Sequence, residues 1–187
     1  MYRNKYRIPS ARLKNWDYSS SGWYFVTICT KNKICYLGTI IKSRRRLSTI
    51  GKIVDREWLK TLKIRPNVKL DEYTILPNHI HGIIVIKFPV ETHCNASLQN
   101  KFGPQRNNLA SIIRGFKSAS TSIIHTIEPA FQWQLRFYDH IIHSEQTLNR
   151  IRWYIRNNHL KWDEDEENPF HRSSKFAHRV RDKQSYP

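Results

Sequence analysis

One stretch constrains this chain more than any other: Leu76-Pro77-Asn78-His79-Ile80-His81-Gly82-Ile83-Ile84-Val85-Ile86. The turn pair Pro77-Asn78 opens it, and residues 79–86 then read as a strand whose near-continuous apolar character suits the middle of a sheet. Residues two apart on a strand share a face. His79 and His81 therefore point one way, while Ile80, Ile84 and Ile86 point the other, into a helix-covered core. Two imidazoles on one face of a rigid strand begin a divalent-metal site that still needs a third ligand from elsewhere. By spacing alone, two ordinary histidines at a strand entrance remain the default reading.

The elements around this strand follow from periodicity. Residues 23–30 (WYFVTICT) are aromatic and β-branched and read as a strand, with residues 34–41 as its hairpin partner. The run Lys42–Arg46 is expected as a charged loop or tip. Residues 49–62 carry Ile50, Ile53, Val54 and Leu59 at mostly helical spacing, ended by Pro66 and Asn67. Residues 69–76 form a strand before the histidine strand. The polar segment 89–107 is a loop, and a helix begins at Asn108 with Leu109, Ile112, Ile113, Phe116 and Ala119 on one stripe. A strand over 131–142 and a last helix from the N-cap candidate Ser144 to about His159 complete the order. Without the early hairpin partner this is β-α-β-β-α-β plus a terminal helix. The expected fold class is thus α+β: a ferredoxin-like antiparallel sheet with two helices on one face and the terminal helix on the other. A single domain spans 1–187, with a basic arm at about 1–15 and a flexible tail over about 163–187.

Charge narrows the partners. Lys and Arg total 32 against 15 Asp and Glu, a net charge of +17, and a field of that size draws polyanions and gains from counterion release. Nucleic acid is the reading that charge and aromatic content share. An anionic membrane surface is the runner-up, but there is no amphipathic basic helix with a strong apolar face. Cys29, Cys35 and Cys94 lack the spacing of a disulfide framework or zinc ribbon. No apolar run backs the basic N-terminus as a signal peptide would, and none reaches the roughly 20 residues of a spanning helix. The expectation is a cytoplasmic, nucleoid-associated protein.

The last helix supplies the histidines' counterpart. Tyr154 and Asn158 lie four residues apart and stack on one helical face, beside the stripe Leu148, Ile151 and Ile155. If that stripe docks on the open sheet face, the Asn158 amide oxygen could complete a metal site and Tyr154 could act as a nucleophile. Taken alone, Tyr154 packing at the core edge is the simpler reading.

Several strings together resemble the REP-associated tyrosine transposases, within the HUH single-strand transposase family: 24–30 (YFVTICT), 70–82 (LDEYTILPNHIHG), 113–118 (IRGFKS), 137–142 (FYDHII) and 154–158 (YIRNN) followed by Trp162. They occur in the family's order and span roughly residues 7 to 169. The resemblance implies Tyr154 as nucleophile, His79, His81 and Asn158 as ligands, and Mg²⁺ or Mn²⁺ as the metal. It implies cleavage and strand transfer on single-stranded or hairpin DNA from repetitive palindromic elements, through a 5′-phosphotyrosine, by a monomer or homodimer. Two departures stand out. His159 replaces the usual proline after the asparagine, and His143 replaces an arginine after DHII. Arg44, Arg45, Arg46, Arg114 and Lys117 are candidate phosphate contacts, and Trp16, Trp23 and Trp153 candidate stacking partners for unpaired bases. His140 reads as a strand-end histidine bonded to its neighbours. A non-catalytic hairpin-binding module with the same fold is the alternative, and an RNA-binding sheet lacks the required aromatic strings.

Overall fold

The computed structural model describes residues 16–87 and 108–170. Six strands and three α-helices occur among them: β1 (Gly22–Cys29), β2 (Gly38–Ile41), β3 (Arg44–Leu47), α1 (Thr49–Ile64), β4 (Val68–Ile75), β5 (His79–Ile86), α2 (Leu109–Ile124), β6 (Tyr138–Ile142) and α3 (Glu145–Asn157). Each helix starts on a side-chain cap that satisfies an orphan amide. Ser48 accepts from the Gly51 amide, Asn108 and Ser111 form a reciprocal capping box, and Ser144 accepts from the Thr147 amide.

The sheet is antiparallel throughout in the order β4-β5-β1-β6, so the histidine strand is central, as its apolar run predicts. Both of its faces are covered. Ile80, Ile84 and Ile86 join Tyr24, Val26 and Ile28 from β1 and pack against Val54 and Trp58 of α1 and Ile112, Ile113 and Phe116 of α2. Ile83 and Val85 join Phe25 and Ile142 under Leu148 and Ile155 of α3. The α+β, ferredoxin-like arrangement expected from the sequence is what the structure shows. No helix among the described residues is long and apolar enough to cross a membrane.

Four local expectations are corrected. Residues 34–41 do not pair with β1; only Gly38–Ile41 is a strand, and it pairs with Arg44–Leu47. The charged run is therefore half strand: Lys42 and Ser43 form the tip at positive φ (49° and 59°), and Arg44–Arg46 belong to β3. The expected strand over 131–142 is extended and irregular until Tyr138, touching β1's end only through a bridge between Thr30 and Trp133. The basic arm and the 89–107 segment lie outside the described residues, as does the tail beyond 170. Residues 163–170, expected to be loose, are anchored through Asp165, Glu167 and Asn168, with the rest exposed. Asn158–Glu164 forms 3-10 turns, Trp162 and Asn168 are buried, and Asn168 Nδ2 donates to the Trp162 carbonyl at 2.9 Å.

Gly82 shows why the histidine string ends as it does. It lies on the face opposite the histidines, and a Cβ there would meet Trp58 Cζ2 at 2.6 Å. The close approach of the α1 indole requires the missing side chain. Gly82→Ala should lower stability by about 1–3 kcal/mol, read as a reduced midpoint in thermal unfolding. An unchanged midpoint would mean that Trp58 moves aside without cost.

Candidate active site

The first two inward residues of β5 on the α3 side are His79 and His81, both buried. Asn78 fixes the first ring. Its Nδ2 donates to the Lys33 carbonyl at 3.0 Å and the Glu167 carbonyl at 2.6 Å, so its Oδ1 is the atom facing His79 Nδ1 at 2.8 Å. His79 Nδ1 therefore carries the proton, and Nε2 presents a bare lone pair. His81 Nε2 lies 2.9 Å from that lone pair, and its Nδ1 lies 2.9 Å from the Thr27 hydroxyl. A hydroxyl can donate or accept, so Thr27 supports the His81 tautomer with Nε2 bare as well as the other.

Burial keeps both rings neutral. His79 is held well below the usual imidazole value by burial, then by His81 and Lys33, and burial takes His81 down to about 3. The sign follows from proton counting. Below pH 6.5 the unfolded chain protonates these rings and the folded chain does not, so acid favours unfolding. In chelator, stability should fall from pH 6.5 towards pH 4.5 by up to about 1.4 kcal/mol per pH unit for each ring. Asp165, whose burial raises its pKa, opposes this with one group against two. Urea midpoints flat across that range would contradict the burial account.

Asp165 is the residue that the sequence reading missed. One atom each from His79, His81 and Asp165 fall within 4.8 Å of one another, a possible His-His-Asp metal triad. The carboxylate reaches 3.9 Å from His79 Nε2. Its segment is laced to the sheet: Glu167 accepts from Asn78, the Glu166 carbonyl accepts from Lys33 Nζ at 2.7 Å, and the Glu167 amide donates to Asp165 Oδ1 at 2.7 Å. The Trp162 ring closes over His79, with centroids 6.0 Å apart.

Helix α3 brings in the remaining groups. Tyr154 is 40% exposed, and its Oη lies 3.2 Å from His81 Nε2. The Phe25 ring stacks on His81 at 5.4 Å and meets Tyr154 edge-on at 6.1 Å, holding both rings. Burial, with Asp165 nearby, pushes the Tyr154 phenol up to about 12, while a hydrogen bond from Asn158 acts against this. Asn158 caps α3, is buried, and also lowers the Asp165 pKa through a hydrogen bond. Its amide oxygen is buried without a hydrogen-bond partner. Such an orphaned acceptor costs free energy unless something positive meets it. The residues present thus fit a divalent ion. His79 Nε2, His81 Nε2 in the tautomer that leaves it bare, a carboxylate and an orphan amide oxygen form a mixed N/O donor set, and 2.9 Å between Nε2 atoms matches two neighbouring ligands each about 2.1 Å from one ion.

The basic candidates divide. Arg45 donates to the Thr74 hydroxyl, and Thr74 is the cross-strand neighbour of His81, so the β2–β3 hairpin reaches the site's border. Arg44 and Arg46 are exposed on that hairpin. Arg114 and Lys117 sit on α2, across the sheet from Tyr154. Lys117 Nζ donates to the Gln134 carbonyl at 2.6 Å and the Arg136 carbonyl at 3.0 Å, and burial lowers its pKa to about 8. Lys117 therefore ties the irregular 131–137 segment to α2. His159 is half-buried beside the site, His143 meets Trp16 edge-on at 5.6 Å, and His140 is exposed on β6. Trp153 is exposed, whereas Trp23 is partly buried against the second core.

No family model matches the chain. An uncharacterized protein of Haemophilus influenzae (strain ATCC 51907 / DSM 11121 / KW20 / Rd) is 40% identical over 163 residues, which is 84% of this chain and 91% of that one. The chain belongs to that protein's family. Among solved structures, a REP-associated tyrosine transposase bound to a REP hairpin aligns with a TM-score of 0.58 at 19% identity, covering 96% of this chain and 89% of that one. At that identity the likeness is one of fold: this chain shares the architecture of that transposase.

Proposed function

We propose that this protein is a metal-dependent nuclease and strand-transferase acting on single-stranded or hairpin DNA through Tyr154. The observation that carries the reading is the meeting of the Tyr154 hydroxyl, 3.2 Å from His81 Nε2, with the His79–His81–Asp165 group. A nucleophile placed beside a ligand cluster is the arrangement that phosphoryl transfer needs. The fold and the +17 charge suit a nucleic-acid substrate.

His79, His81 and Asp165 would hold Mg²⁺ or Mn²⁺, with the Asn158 amide oxygen as a further donor. When bound, such an ion offsets the charge of the scissile phosphate and polarises it for in-line attack. The protein's own groups do the rest. Phe25 and Asn158 orient the phenol, and Trp162 packs against the His79 ring. His81, with a pKa of about 3, is too weak a base to take the phenol proton at neutral pH, so its role is to hold rather than to deprotonate. The bond from Tyr154 Oη to phosphorus forms as the bond from phosphorus to the 3′-oxygen breaks. The phenol proton is lost and the departing 3′-oxygen gains one, which leaves a 5′-phosphotyrosine and a 3′-hydroxyl. One phosphodiester replaces another, so a second 3′-hydroxyl can run the step backwards and join strands.

The test is to incubate the protein with single-stranded repeat hairpins from its own genome, with Mn²⁺ or with chelator. A protein–DNA adduct that survives denaturation and needs the metal is expected. Equal binding with and without metal and no covalent product would instead identify a non-catalytic hairpin binder.

A further inference from the structure

The tyrosine-bearing helix is held from its other flank by two acidic residues. Arg152 donates both Nε and Nη2 to Asp71, each at 2.8 Å, and Arg156 pairs with Glu72. The carboxylates are consecutive in β4, where adjacent side chains ordinarily point to opposite faces. A bulge removes that obstacle. Leu70 pairs with Ile84 and Tyr73 with Gly82, so Asp71 and Glu72 together oppose the single residue Ile83. Leu70 and Tyr73 pack into the core under α1 and α2, whereas Ile83 faces α3. Both carboxylates are thereby available to the same helix.

Around α3, at about 100° per residue, Ile151 and Ile155 mark the buried seam, with Tyr154 and Asn158 on one flank and Arg152 and Arg156 on the other. An apolar seam resists separation better than rolling, because its contacts are non-directional. A bidentate Arg–carboxylate pair is directional. At the roughly 6 Å radius of a side-chain-covered helix, a roll of about 20° moves an atom by about 2 Å. A nucleophile displaced by about 1 Å can lose on the order of 100-fold in rate.

We propose that Asp71 and Glu72 are positioning residues that set the roll of α3 and so hold Tyr154 Oη beside His81. The link to rate rests on the reading of Tyr154 as the nucleophile, whereas the link to position does not. Two readouts on full-length protein separate them: 3-fluorotyrosine at position 154 followed by fluorine NMR, and adduct formation at saturating hairpin DNA. In the double variant Asp71→Asn, Glu72→Gln the fluorine resonance should shift or broaden. Adduct formation should slow by about 10-fold or more while hairpin affinity stays within about twofold. Exchanging the partners, Asp71→Arg with Arg152→Asp, should restore much of the wild-type signal and rate, which general destabilisation would not allow. An unchanged resonance in the double variant overturns the proposal, as does a charge exchange that behaves no better than its single changes. A shifted resonance in a protein whose wild type forms no adduct would uphold the positioning and refute the nuclease reading.

Discussion

Tyr154→Phe is expected to abolish the covalent protein–DNA adduct, a loss on the order of 10³-fold or more, while leaving the fold and hairpin binding nearly intact. The substitution removes one oxygen. The ring contacts with Phe25 at 6.1 Å and His81 at 5.2 Å remain available to phenylalanine, and what is lost is the hydrogen bond from Oη to His81 together with the one that Asn158 gives the phenol. The hydroxyl is half-exposed, so the loss should cost about 0.5–1.5 kcal/mol of stability for each bond. The rate loss has a separate origin. With its pKa pushed to about 12, the phenol is ionised at pH 7 in only about one molecule in 10⁵, and the site must supply positive charge to make it a nucleophile at all. With no oxygen present, no charge arrangement compensates. Denaturing gels with labelled hairpin, run beside a binding assay, separate the two effects. Adduct from the phenylalanine variant at even a few per cent of the wild-type level would remove Tyr154 from the mechanism.

The second large effect concerns the ligand group. His79→Ala and His81→Ala should each weaken Mn²⁺ binding by about 10²-fold or more, measured by titration calorimetry on DNA-free protein, and should end metal-dependent cleavage. His79 is supported by Asn78 and His81 by Thr27, so each ring arrives oriented, and truncation loses that preorganisation along with the nitrogen. Truncation of His79 also strands Asn78 Oδ1 as a buried acceptor, so some loss of stability, about 1–3 kcal/mol, accompanies it. Calorimetric affinity normalised to the folded fraction handles that complication. Asp165→Asn and Asn158→Ala then rank the oxygen donors. A larger loss from the Asp165 variant makes the tail carboxylate the main third ligand, and wild-type affinity in both single histidine variants would refute the site.

How far the sequence led depended on how local each determinant is. The alternation in β5 and the stripes of α2 and α3 are local patterns, and they placed His79, His81, Tyr154 and Asn158 on facing surfaces correctly. The β2–β3 hairpin escaped because its two-residue tip is Lys42-Ser43, both at positive φ, where Asn and Gly are the usual signal. Three consecutive arginines then read as a loop. Residues 131–137 look like a strand because Phe131 and Trp133 are buried two apart, but they pack against each other at 5.1 Å and Lys117 holds the segment's carbonyls, so no ladder forms. Asp165 was invisible for a different reason. It belongs to the run Asp163-Glu164-Asp165-Glu166-Glu167, which reads as a solvated tail. Contacts with residues distant in sequence, Asn78 and Lys33 among them, bring that run to the histidines. The signal available was the oddity of five adjacent acids in a chain of net charge +17, directly after a tryptophan. The same holds for Asp71 and Glu72, whose shared side depends on a bulge that their own sequence does not announce.

The most direct measurement is mass spectrometry of the peptide carrying Tyr154 after reaction with hairpin DNA and Mn²⁺. One modified residue is expected, Tyr154, joined to the 5′-phosphate of the DNA, with a free 3′-hydroxyl on the released strand and no modification in chelator. A nucleotide on any other residue, a 3′-phosphate linkage, or metal-independent modification would contradict it.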